Sequence, residues 1–187
     1  MDNVVHIEDW AWRRRYRPRN RVQRALAVLE PAQREAVLDL LTLFAPLAER
    51  FWDDGGPAWT VASDEALMAP LKGLPLSEFP DDGLVALCLE AGYTVGDVSH
   101  FKAVLPYFLA GAFARPMDNW VLDPDLLKAK LETLRFEDWP AAERRAVARA
   151  LAVYAQHEID LADEPTALDE TLVAAKRWAE DELAAAL

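Results

Sequence analysis

His157, Glu158 and Asp160 open the stretch "HEIDLADEPTALDE" (157–170). An imidazole beside carboxylates is the raw material of a metal site or a general acid–base pair. The zinc-protease pattern HExxH needs a second histidine one helical turn on, where this chain has Leu161, so that chemistry fails. His6 and His100 have no partner at ligand spacing either. The spacing predicts a solvated helix end at His157, with no metal and no cofactor.

Nucleophilic chemistry has little more to stand on. Cys88 is the one cysteine, flanked by Leu87 and Leu89, which predicts a buried, inert thiol. Ser63, Ser77 and Ser99 lie in no nucleophile elbow, and neither a P-loop nor a GxGxxG is present. The paired carboxylates Asp53-Asp54 and Asp81-Asp82 fall at helix boundaries, where negative charge suits an N-terminus. No catalytic residue is assigned, and the reading leans away from an enzyme.

Two charged segments rise above this background. The arm "WAWRRRYRPRNR" (10–21) interleaves Trp10, Trp12 and Tyr16 with Arg13, Arg14, Arg15 and Arg17. That mixture suits phosphate backbones and stacked bases, or equally an arm folded onto its own acidic body. The second segment holds six acids, Glu158, Asp160, Asp163, Glu164, Asp169 and Glu170, with no Lys or Arg from Ala150 to Ala175. It is either a solvated connection or an acidic surface that docks a basic partner.

The overall charge of −12 is split the same way. Residues 1–24 hold seven Arg against three acids, net +4, leaving −16 for residues 25–187. The body repels nucleic acid and anionic membrane, and only the arm attracts them. A lone cysteine suits a reducing compartment, the N-terminus lacks the apolar run of a signal peptide, and no apolar stretch approaches a bilayer span. A cytoplasmic protein without membrane contact is expected.

The elements that must position these residues read as helices. With 52% hydrophobic residues, only seven Gly and as many as twelve Pro, the composition favours an all-α core broken by proline. Asn20 is placed to cap a helix with Val22, Ala25, Leu26 and Leu29 inward. Pro31 opens the next, with Val37, Leu40, Leu41, Phe44, Ala48 and Phe51 inward and Pro46 as a kink or break. Ser63-Asp64-Glu65 resembles a helix start, and the prolines after it limit any helix to short turns. "DDGLVALCLEAGY" reads as a helix closed by Gly92, although "LVALCL" alone also suits a buried strand.

From about Gly96, Phe101, Leu105, Phe108, Leu109 and Ala112 mark one helical face with Pro106 inside it, predicted as a packing bend. A further helix starts at Asp123 with Pro124 at its first position and Leu126, Leu127, Leu131 and Leu134 inward. The next has Asp138 or Trp139 as cap, Pro140 in its first turn, and Val147, Ala150, Leu151 and Tyr154 inward. Thr166 and Asp169 resemble a capping box before Leu168, Leu172, Ala175, Ala179 and Leu183. The expectation is an irregular bundle of six to eight antiparallel helices, HEAT-like in packing at most, since no fixed repeat supports a solenoid. Residues 1–20 form the arm and 21–187 one helical domain.

Over residues 84–154 the motifs Gly96-Asp97, Phe101, Leu105-Pro106, Lys130-Leu131 and Trp139-Pro140 with Glu143 occur in series. In these motifs the chain resembles a group of uncharacterised bacterial all-helical proteins. It departs from them at Tyr107, where their pattern has Arg. The resemblance implies the helical parse and carries no chemistry.

These readings converge on a non-enzymatic, protein-binding helical protein, one form of which is an immunity or inhibitor protein facing a basic partner. The alternative is a nucleic-acid-associated accessory protein that uses the Arg-rich arm.

Overall fold

The computed structural model describes residues 21–53, 56–58, 69–93, 95–114, 123–161 and 167–185. The arm (Trp10, Trp12, Arg13, Arg14, Arg15, Tyr16, Arg17), the Asn20 cap, the Ser63–Glu65 start, and Asp163, Glu164 and Thr166 lie outside these residues. So do the side chains of Leu168 and Asp169.

The described residues form an all-α multi-helix bundle. Its helices are α1 (Arg21–Val28), α2 (Pro31–Glu49), α3 (Asp81–Glu90), α4 (Val98–Ala114), α5 (Pro124–Thr133), α6 (Ala141–Leu161) and α7 (Ala167–Ala185). Short 3₁₀ turns cover Ala69–Leu71, Leu76–Glu78 and Phe136–Asp138. No strand occurs among the described residues, so "LVALCL" is helical. Beyond the helices the described residues hold one bridge pair, Ala91–Val95. No described helix is long and apolar enough to cross a membrane.

α4 is the centre of the bundle and packs against α1, α2, α3 and α6. Ten of its seventeen residues are buried, among them Ala103, Val104 and Ala110, which lie off the expected face. It is thus apolar all round rather than striped, as a helix enclosed by neighbours must be. Pro106 is buried within it, and the helix continues on both sides. One contiguous core joins Ala25 of α1, Leu40 of α2, Leu87 of α3, Leu105 and Phe108 of α4, Leu131 of α5, Leu151 and Tyr154 of α6, and Ala179 of α7.

Local chemistry fixes the ends. Arg34 of α2 donates to the carbonyls of Leu26 (2.8 Å) and Leu29 (2.9 Å), neutralising the open end of α1. The α2 start is held by a capping box in which the Gln33 side chain accepts from the Glu30 N–H at 3.0 Å. α2 then runs unbroken through Pro46, contrary to a break there, because that ring sits on the exposed face. Gly92 follows α3 at φ 79°, a backbone that favours glycine, and a β-carbon there would run into the Leu134 side chain. Asp97 caps α4 by accepting from the Ser99 and His100 N–H groups at 2.8 and 3.3 Å. Asp123 caps α5 through the Leu126 N–H at 2.8 Å, with Pro124 at the first position.

Two inward expectations on α5 are corrected. Leu126 is 49% exposed and Leu134 only half-buried, while Lys130 is 4% exposed. A lysine takes an inward place there because the end of α3 offers it a carbonyl. On α6, Val147, Ala150, Leu151 and Tyr154 are all buried, with Pro140 immediately before the helix.

Candidate functional site

The end of α6 brings together polar side chains that shift one another's protonation: Tyr154, His157, Glu158 and Asp160, with Asp123 of α5. His157 is half-buried rather than solvated, because α2 and α4 both pack on it. Its Nδ1 lies 3.0 Å from the Gln33 amide nitrogen, and its ring meets the edge of Phe113 with centroids 5.6 Å apart. Burial lowers its pKa against the opposing pull of Asp160. Among the described residues its Nε2 is buried without a hydrogen-bond partner.

Glu158 beside it is half-buried, and burial together with the Asp123 carboxylate raises its pKa. Burial, then Glu158 and Asp123, also hold the Tyr154 phenol protonated well above its ordinary range. Asp160 is exposed and accepts from the Gln156 amide at 2.6 Å. Glu170, near the start of α7, is exposed. The last turn of α6 contains no base. Acids at a helix C-terminus oppose the backbone dipole, so this end carries an electrostatic cost.

Several acids elsewhere in the bundle are paired across helices. Arg149 bridges Glu35 at 2.9 Å and Asp39 at 3.1 Å, tying α6 to α2. Lys102 of α4 binds Glu143 in the first turn of α6, and Arg144 meets Glu182 of α7 at 3.9 Å.

Two further groups are structural. Cys88 is wholly buried, and burial keeps its thiol protonated. Lys130, which sequence reasoning missed as a buried cation, donates to the Leu89 carbonyl at 2.6 Å and lies 3.6 Å from the Tyr93 ring centroid. Burial brings its pKa down from 10.5 to about 8. The lysine caps the α3 terminus with a cation under an aromatic lid. Tyr107, where the resembled pattern has Arg, lines an apolar crevice with Val22, Ala25 and Leu76 that has room for about one water. Among the described residues no group of three or more His, Cys, Asp or Glu comes together as a metal site.

Comparisons with protein-family models, curated proteins and solved structures found no match. The resemblance to the bacterial helical group rests on its motifs alone. Their residues meet in the fold: Phe101 stacks edge-on to Trp139 at 6.2 Å, and Lys102, next to Phe101, binds Glu143. Those positions hold α4 against the start of α6.

Proposed function

We propose that this chain is a non-enzymatic helical protein that binds another protein, with the end of α6 and the start of α7 facing a basic partner. An immunity or inhibitor protein is one concrete form. The observation that carries the reading is the last turn of α6. There Glu158 and Asp160 crowd a helix C-terminus without a base, and Asp123 faces Glu158. Glu35, Asp39, Glu143 and Glu182 have basic partners, while among the described residues no ion pair joins Glu158 or Asp160 to a base, and a cationic partner would relieve this end.

The test is capture of the tagged full chain from the cells that make it, compared with a Glu158→Gln/Asp160→Asn/Glu170→Gln variant. Support is a basic protein retained by the parent, released by salt and lost in the variant. Retention of an identical set of proteins by both chains would overturn the reading. Retention of DNA or RNA that disappears on changing Arg13, Arg14, Arg15 and Arg17 to Gln would favour the nucleic-acid alternative.

A further inference from the structure

The contact between Gln33 and His157 joins residues 124 positions apart, and its proton arrangement is fixed from both sides. The Gln33 amide has no freedom to flip. Its oxygen accepts the Glu30 N–H at 3.0 Å as part of the α2 capping box, so its nitrogen must point at His157. That nitrogen only donates, and Nδ1 of His157 must therefore accept. The neutral imidazole is then held as the Nε2–H tautomer, which places an N–H in a buried position with no partner among the described residues. An unpaired buried donor is costly, and the arrangement persists because the alternative tautomer would set two donors face to face.

We propose that the Gln33–His157 hydrogen bond is a proton-operated latch between the start of α2 and the end of α6. It is closed on the neutral imidazole and opened when Nδ1 takes a proton from solvent. A protonated Nδ1 meets an amide nitrogen that offers no lone pair, and the two side chains must part. The Gln33 amide is then free to leave the Glu30 N–H, so the α2 cap loosens with the interhelical contact.

The groups around the ring set the response. Beside Gln33 along the chain stand Glu30, the residue before α2, and Arg34, which is occupied with the Leu26 and Leu29 carbonyls. α4 presents the uncharged Phe113 ring. On α6 itself Asp160 favours the cation, with Glu158 and Tyr154 nearby. Asp160, one turn on, is the carboxylate available to the released imidazolium. Burial opposes these acids and prevails, so the latch stays closed at neutral pH.

The test is an NMR titration of the ¹⁵N-labelled full chain, following the His157 ring nitrogens, the Glu30 backbone amide and the Gln33 side-chain amide. The expected result is an Nε2–H tautomer at neutral pH and a His157 midpoint below 6.5, the ordinary histidine value. The Glu30 and Gln33 amides should titrate with that same midpoint. In a Gln33→Leu variant the Glu30 amide should cease to follow the histidine. An Nδ1–H tautomer, a midpoint at or above 6.5, or a Glu30 amide indifferent to the titration in the parent would each overturn the latch. The parent measurement decides even if the variant does not fold.

Discussion

Lys102 of α4 and Glu143 of α6 form an ion pair at 2.5 Å, and the same ammonium lies 4.1 Å from the centroid of the Trp139 ring. The side chains are only 11% and 22% exposed, so the pair is shielded from the screening that weakens surface pairs. α4 and α6 run in the same sense, with Lys102 opposite Glu143 at one end and Phe113 opposite His157 at the other. This pair therefore fixes the register of the central helix.

A double-mutant cycle on that pair should show coupling. Lys102→Met and Glu143→Leu should each cost about 1–3 kcal/mol, since each strands the other charge. The double variant should recover at least ~0.5 kcal/mol of the sum. Urea denaturation of the four proteins measures this, and strictly additive losses would count against a shared pair.

Leu151 is 1% exposed in the core with Leu105, Phe108, Leu131 and Tyr154. Truncation to Ala removes its methyl groups from a close-packed site and should cost about 2–5 kcal/mol. A variant that melts like the parent would remove Leu151 from the core.

Stability should rise with pH just above neutrality because of Lys130. Its pKa falls from 10.5 unfolded to about 8 folded, so the unfolded chain binds more protons between those values. Cys88 acts oppositely: its thiol stays protonated when folded but ionises near 9.0 in the unfolded chain. Stability should climb from pH 8 to a broad peak between 9.0 and 10.0, where the two slopes cancel, and turn down above 10.0, where the Tyr154 phenol, also held protonated in the fold, adds its loss. Denaturant melts across that window check the peak, and Lys130→Met should abolish the rise while leaving the fall.

Pro106→Ala should leave the fold intact. An alanine restores the N–H that the Lys102 carbonyl lacks and is favoured in a helix interior by about 3 kcal/mol. The ring lost from the buried site offsets much of this. The expected net change is within about 1 kcal/mol of the parent, read by thermal and urea melts. Loss of the folded state would show that the proline ring is a packing requirement.

Periodicity in the sequence exposed most of this architecture. The inward sets Val37, Leu40, Phe44 on α2 and Val147, Leu151, Tyr154 on α6 emerge as buried. Local signals also placed Asp123, Pro124 and Gly92 at their helix ends. What stayed hidden depends on partners distant in the chain. Lys130 turns inward, and Leu126 outward, because the Leu89 carbonyl lies 41 positions away from the lysine. His157 leaves solvent because Gln33 and Phe113 meet it, which no local pattern in "HEID" encodes. The acids of the candidate surface were visible as composition. The crowding of Glu158 by Asp123 required the fold.

The burial of Cys88 gives the chain its own opening clock. The thiol is the sole cysteine, fully enclosed on α3 beside the central helix. An alkylating reagent therefore meets it only when the core separates. With abundant reagent, the labelling rate follows how often the bundle opens; with scarce reagent, it follows the fraction of time the core stands open. Mass spectrometry of the intact chain counts a single adduct, so each labelled molecule is one whose core has opened.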